Sequence, residues 1–322
     1  MWCARAVLRT NEEFASASNM PRGSDAATSS SAAAAPATEG HRMIHDSALT
    51  HDHPALASML GPWAQDPRVL AARFAASGAV PHVVIDNFFA EPFALEIAAV
   101  FPACDASCWN VYDNPLERKR ATNDVSHMPT GIRDAVCALC GPFLVEAVRA
   151  ITGTDETLQA DPYCHGGGLH SSGTGDKLDL HLDYSIHPMS GLERRFNLIV
   201  YLVEPWEPSY GGALELRGAA ADDCNRPGEL SAAVLPKLNR AVLFSTTAPS
   251  FHGFPTPITC PPELRRNSLA LYYLTPPRPD APKRSKALYV PRPGEPHDPK
   301  MAKLRAIRAE RRLDAADVAS VA

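Results

Sequence analysis

The chain contains no run of 18 apolar residues, so no helix is expected to span a membrane. Its 8 cysteines among 322 residues are too few and too scattered for a disulfide-rich scaffold, and a reducing, cytoplasmic setting is the expectation. Cys137-Ala-Leu-Cys140 has the spacing of a redox or zinc pair. It has no matching second pair and lies in an apolar helical stretch, so buried structural thiols are expected there. Charge of one sign is also lacking: 31 Lys+Arg oppose 36 Asp+Glu, a formal −5, which gives no reason to expect a nucleic-acid partner. Internal repeats are absent. What is present is a hydrophobic content of 45%, enough for a sizeable core, and 30 prolines lying mostly outside the apolar runs, which suggest many turns.

Three parts are expected. Residues 1–66 read as a largely disordered extension, because a stretch rich in Ala, Ser and Thr buries too little apolar surface to offset the ordering of its backbone. Its first ten residues carry Arg5 and Arg9 and no acid, a faint transit-peptide pattern. A true start at Met20 or Met43 is an equal alternative. His45, His51 and His53 cluster there, but with no rigid element to hold them a solvated tail is the simpler reading. Residues 67–277 form the expected folded domain. Residues 278–322 read as a Pro-rich linker followed by a basic helix from about Pro299 to Ala319. From Pro276 to Ala322 there are 11 Lys+Arg against 6 Asp+Glu, and such a tail either covers the domain, binds a partner or hangs free.

Within the domain, a short helical segment is expected from Pro67 to about Ser77, a strand at His82-Val-Val-Ile-Asp86, and a helix from Phe93 to Phe101. A longer helix is expected from Pro129 to Ile151, where Ile132, Val136, Cys140, Leu144 and Val148 form one apolar stripe. From Asp161 onward the period changes. Leu178–Tyr184, Phe196–Val203, Ala213–Arg217, Ala232–Leu235, Ala241–Ser245 and Ser268–Leu274 are short runs separated by turn residues, with no helix-length pattern between them. The fold class expected is therefore mainly β with flanking helices, around an eight-strand jelly roll, a double-stranded β-helix of cupin type.

On a strand, residues two apart share a face, so in His181-Leu-Asp183 the imidazole and the carboxylate project together. His252, downstream of an apolar strand and a loop, is the natural third member. Two imidazoles and one carboxylate suit a non-heme ferrous iron with open positions. Arg266-Asn-Ser268 opens another strand. A guanidinium there can pair bidentately with a small dicarboxylate, and the Ser268 hydroxyl can add a bond. Arg265 beside it reads as an exposed turn charge.

With these residues in order, the chain resembles the iron(II)- and 2-oxoglutarate-dependent dioxygenases, in particular their prolyl 4-hydroxylase-like branch. The pattern covers about residues 80–277. It includes His82-Val-Val-Ile-Asp86, Asp161-Pro-Tyr-Cys-His-Gly-Gly-Gly-Leu-His170, His181-Leu-Asp-Tyr184, Arg194-Arg-Phe-Asn-Leu-Ile-Val-Tyr-Leu202, Tyr210-Gly-Gly-Ala-Leu214, Phe251-His-Gly253 and Arg266-Asn-Ser268. The resemblance implies that His181, Asp183 and His252 ligate Fe(2+). It implies that Arg266, with Ser268 and Tyr201, holds the distal carboxylate of 2-oxoglutarate. Without it, Tyr201 would read as a core aromatic. It further implies O2 as co-substrate, ascorbate as reductant, and no catalytic residue beyond the metal centre. The reaction implied is hydroxylation of an unactivated carbon with release of succinate and CO2, on a prolyl or other residue of a peptide or protein. A small-molecule substrate is the alternative, and a non-catalytic metal-binding cupin is the reading from another class.

Two departures from the family pattern stand out. Leu169-His170-Ser171 lies where some relatives carry a second tyrosine, so His170 or Ser171 is the candidate substitute, or nothing is. Val203 stands where relatives commonly have Asn. Arg194 and Arg195 are candidates for substrate contact or for capping a turn. His187 is expected to stabilise a turn. Trp206 and Tyr210 are candidates for a substrate groove. The oligomeric state is open.

Overall fold

The computed structural model describes residues 58–247 and 249–321. The expectations for residues 1–42, and for His45, His51 and His53, lie outside these. The packed chain begins ahead of Pro67: Leu60 is buried and bridges Phe89, and the Trp63 ring stacks on Phe88.

Among the described residues thirteen strands form one antiparallel sheet that curls into a nearly closed barrel. They are β1 (His82–Ile85), β2 (Asn110–Asp113), β3 (Glu117–Thr122), β4 (Gln159–Ala160), β5 (Gly168–Ser172), β6 (Lys177–Leu182) and β7 (Glu193–Tyr201). These are followed by β8 (Leu214–Ala219), β9 (Pro227–Val234), β10 (Arg240–Ser245), β11 (Phe251–Phe254), β12 (Arg266–Thr275) and β13 (Leu288–Tyr289). The spatial order is β1-β10-β7-β12-β5-β3-β6-β11-β8-β9, with β2, β4 and β13 paired to β3, β12 and β6. Consecutive apolar residues in β7, β10 and β12 are buried on both faces. One face lines the barrel through Ile199, Tyr201, Val242 and Phe244, and the other packs under helices through Leu198, Val200, Leu243 and Leu271. Burial on both sides is why these strands read as near-continuous apolar runs rather than as alternating ones.

The helices are α1 (Ala71–Ala75), α2 (Glu91–Ala99), α3 (Thr130–Cys140), α4 (Pro142–Thr152), α5 (Pro299–Glu310) and α6 (Ala315–Ala319). The single helix expected over Pro129–Ile151 is two, α3 and α4, bent by 53°. Pro142 cannot donate a backbone hydrogen bond and disfavours helical geometry at the residue before it, and Gly141 there is extended (φ −70, ψ 159). The apolar stripe survives the break because both helices bury it against the sheet. Gly153, at φ 68, closes α4 in the left-handed conformation that glycine adopts without cost. No single described helix is long and apolar enough to cross a membrane.

The C-terminal segment is part of the fold. β13 pairs with β6, placing Leu288 opposite Leu182 and Tyr289 opposite His181. The Asp298 side chain caps α5 by accepting from the Lys300 and Met301 amides, and Leu304 of α5 packs with Leu116, Tyr289 and Leu313. The expected helix from Pro299 to Ala319 is interrupted between α5 and α6, where Asp314 and Asp317 build a capping box.

Candidate metal centre and cofactor pocket

Two opposed strands place the centre. β11 pairs with β6 in a register that sets His252 directly across from His181, and their rings lie 4.4 Å apart. Asp183 follows one residue after β6 ends. The His181 Nε2 is 3.7 Å from Asp183 Oδ1, and the His252 Nε2 is 3.6 Å from Asp183 Oδ2. One ligating atom from each residue lies within 4.8 Å of the others.

Their hydrogen bonds orient these atoms. The Nδ1 of His181 faces the Asp179 carbonyl and that of His252 faces the Ser250 carbonyl, each at 3.0 Å. A carbonyl only accepts, so each Nδ1 carries the proton and each Nε2 presents its lone pair inward. Burial, reinforced by the neighbouring His252, lowers the pKa of His181 to about 3, so its ring is neutral near pH 7. Burial pushes Asp183 up, but His252, Arg194 and His181 more than offset it, leaving its pKa lowered to about 2. Its Oδ2 is buried and has no hydrogen-bond partner among the described residues. Two inward lone pairs and an ionised carboxylate oxygen fit a divalent iron.

Across the barrel, Arg266 opens β12 and is 5% exposed, with its guanidinium over the rings of Tyr201 and Phe254. Its Nε donates to the Gly212 carbonyl at 2.7 Å and its NH2 group to the Tyr201 hydroxyl at 3.1 Å. Gly211 and Gly212 both take positive φ (71 and 70), which turns that carbonyl toward the guanidinium. Burial raises the Tyr201 pKa while Arg266 partly lowers it, so the hydroxyl stays protonated. Among the described residues no carboxylate pairs with Arg266. A buried guanidinium in this condition favours an anionic ligand. Arg266, Ser268 and the three metal-centre residues line one cavity of about 380 Å³.

Residues 167–274 match the family model described as the 2OG-Fe(II) oxygenase superfamily. This stretch is a 2OG-Fe(II) oxygenase domain. A segment of 59 residues is 42% identical to prolyl 3-hydroxylase OGFOD1 of Xenopus laevis, covering 18% of this chain and 11% of that relative. A Pseudomonas putida prolyl-4-hydroxylase is similar at 17% identity and a TM-score of 0.46, covering 66% of this chain and 99% of the other. A Trichoplax adhaerens prolyl hydroxylase, solved with a peptide of hypoxia inducible factor, is similar at 16% identity and a TM-score of 0.46, covering 70% and 95%. HygX of Streptomyces hygroscopicus, solved with nickel, 2-oxoglutarate and hygromycin B, gives 14% and 0.44, covering 65% and 87%.

The other candidate residues of the oxygenase domain divide by strand face. On β5, His170 turns into the cavity, while Ser171 turns away to bond the Asn267 side chain and Arg265. Burial first, then the charges of Lys119 and Arg266, lowers the His170 pKa to about 3, so it is a neutral ring beside Arg266. On β7, Arg194 lines the cavity fully buried. It lies between the rings of Tyr184 and Tyr272, 3.3 and 3.5 Å from their centroids, and 3.7 Å from Asp183. Arg195 points to the opposite face, where it pairs with Glu156 and bonds Thr275, so strand alternation removes it from substrate contact.

Trp206 is also away from the cavity: its Nε1 donates to Gly211, and it packs edge-on to Tyr210 beside the glycine turn. Arg265 is not a free turn charge, since it donates to Ser171 and sits 3.5 Å from Asp176. His187 does organise a turn, its Nδ1 accepting from the Met189 and Ser190 amides. Cys137 and Cys140 are buried thiols. His252 sits on its own strand, β11.

Several cavity residues escaped the sequence reading. Tyr272 shares a strand face with Arg266 and Ser268, so period-two counting from Arg266 could have found it. Asn197 is a buried polar residue amid the apolar run of β7, a signal in itself. Lys119, Tyr289 and Arg308 come from segments remote in sequence and carry no such signal.

Proposed function

We propose that the chain is a 2-oxoglutarate-dependent dioxygenase that hydroxylates an unactivated carbon, on a prolyl or other residue of a peptide or protein. The carrying observation is that His181, Asp183 and His252 line one cavity together with Arg266, whose guanidinium bonds the Tyr201 hydroxyl behind it. A metal binder without turnover has no need of a buried dicarboxylate clamp. The prolyl hydroxylases among the similar proteins support a peptide substrate.

His181, Asp183 and His252 would hold Fe(2+), which supplies dioxygen activation coupled to the oxidative decarboxylation of 2-oxoglutarate. The chain's own work is orientation. Arg266 offers a fixed pair of donors to the distal carboxylate, and the protonated Tyr201 hydroxyl donates alongside. The β-sheet walls exclude bulk water and hold the two binding groups at a set separation. Arg194 and Tyr272 hold the Asp183 carboxylate ionised from behind. No side chain needs to act as a general base.

Succinate release from 2-oxoglutarate, with ferrous iron and ascorbate, tests this. The wild type is expected to release succinate, with His181→Ala inert and Arg266→Ala strongly impaired. A wild type as inert as both variants after iron loading would sink the reading.

A further inference from the structure

The mouth of the cavity is framed by segments that carry none of the metal-centre residues. The β2–β3 hairpin contributes Tyr112 and Lys119, the chain before β13 contributes Lys286, and α5 and the residue two beyond it contribute Arg308 and Arg312. Apart from Asp183, Glu117 is the only carboxylate among the described lining residues. It is already engaged: Arg308 Nε donates to it at 2.8 Å, and Lys119 lies 3.4 Å away.

Four cations thus face one carboxylate at the entrance of a protein whose formal charge is −5. Lys286 is exposed and makes no ion pair among the described residues. Arg312 is exposed, lies over the Tyr112 ring at 4.1 Å and donates to the Val111 carbonyl, again with no carboxylate. These groups are distinct from Arg266, which stands on β12 inside the barrel. A cleft lined by one sign of charge between low-dielectric walls concentrates ions of the other sign.

Resting on the hydroxylase reading, we propose that the substrate carries an anionic group, a carboxylate or phosphate, next to the oxidised carbon, and that Lys119, Lys286 and Arg312 receive it. The remaining surplus of positive charge is what distinguishes this rim from a set of paired surface charges, which would cancel and select nothing. The C-terminal segment then takes part in selectivity, since two of the three receiving groups belong to it.

The test uses the full chain loaded with Ni(II) and 2-oxoglutarate, so that binding is read without turnover. Fluorescence anisotropy compares three labelled peptides around a central proline, flanked by Asp/Glu, by Asn/Gln or by Lys, at low and high salt. Calorimetry with phosphoserine forms a second arm. Tighter binding of the acidic peptide by about tenfold, shrinking with salt and lost in Lys286→Glu and Arg312→Ala, supports a peptide source. Phosphoserine binding lost in the same variants, without peptide discrimination, supports a small anionic substrate. Equal binding of all three peptides, with phosphoserine binding absent or unaffected by both substitutions, overturns the proposal. Succinate release measured on the iron-loaded protein reports separately on the hydroxylase reading, so either can fail alone.

Discussion

The Tyr289 ring stacks on the imidazole of His181, with centroids 5.1 Å and planes 25° apart. This contact brings the C-terminal segment to the candidate metal centre. Residues far outside the oxygenase-like stretch 167–274 therefore wall the site. Tyr289→Ala is expected to destabilise the fold by about 3 kcal/mol, the usual range for emptying a buried aromatic site. It is also expected to weaken Ni(II) binding by releasing the His181 ring, whereas Tyr289→Phe keeps most of the affinity. Thermal unfolding together with calorimetric metal titration separates the two effects. Unchanged metal affinity in Tyr289→Ala would refute the positioning role.

Arg266→Lys keeps a charge but loses the fork that bonds Gly212 and Tyr201 together. Its KM for 2-oxoglutarate is expected to rise on the order of tenfold or more. Gly212→Ala is expected to act in the same direction without touching the guanidinium. A methyl group there meets Ile258, Trp206 and the Arg266 stem at 3.2–3.3 Å, on a backbone at positive φ. Steady-state succinate assays at varied 2-oxoglutarate measure both. Wild-type KM in Arg266→Lys would remove the clamp from the account.

Neighbouring arginines are expected to behave oppositely. Arg194→Ala removes a fully buried cation held between Tyr184 and Tyr272, and a loss of roughly 3 kcal/mol in chemical unfolding is expected, with activity collapsing. Arg195→Ala breaks a partly exposed pair with Glu156 and is expected to cost under about 1 kcal/mol, with kcat/KM unchanged. A large drop in kcat/KM for Arg195→Ala would contradict the strand-face assignment.

Glu117 gives the fold an acid dependence. Burial raises its pKa, but Lys119, Arg308 and hydrogen bonds from Arg308 and Tyr289 outweigh this and lower it to about 2 from an ordinary 4.5. A carboxyl with a depressed folded-state pKa contributes stability above its unfolded value and loses it as pH falls. Its contribution, on the order of 3 kcal/mol, should therefore be complete above about pH 5 and disappear between pH 4.5 and 2. Urea midpoints across pH 2–6 are expected to fall less steeply in Glu117→Gln than in the wild type. Parallel curves would show that Glu117 is not the linked group.

Much of the site was legible along the chain. His181 and Asp183 stand two apart on a strand, and Arg266 and Ser268 do the same, so local periodicity alone put each pair on one face. The double glycine at 211 and 212 was visible as a turn, though not as the carbonyl that orients Arg266. Period two also separates Arg194 from Arg195, but it cannot say which of the two faces looks inward. The strands β2, β3, β5 and β11 were missed because they are short, polar or broken by glycine, and their pairing partners lie far away in sequence.

The sequence by itself determined the kinds of element, the jelly-roll class and the candidate residues for a metal and a dicarboxylate, because spacing and residue chemistry are local properties. Only the tertiary structure decided that β11 sets His252 opposite His181, that Glu156 holds Arg195 away, and that the C-terminal segment stacks Tyr289 on the centre and lines its mouth with Lys286 and Arg312. These depend on sheet register and on contacts between segments as far as 201 residues apart, such as Arg312 with Val111. Register is set by the summed burial of whole strands, which no single stretch of sequence carries.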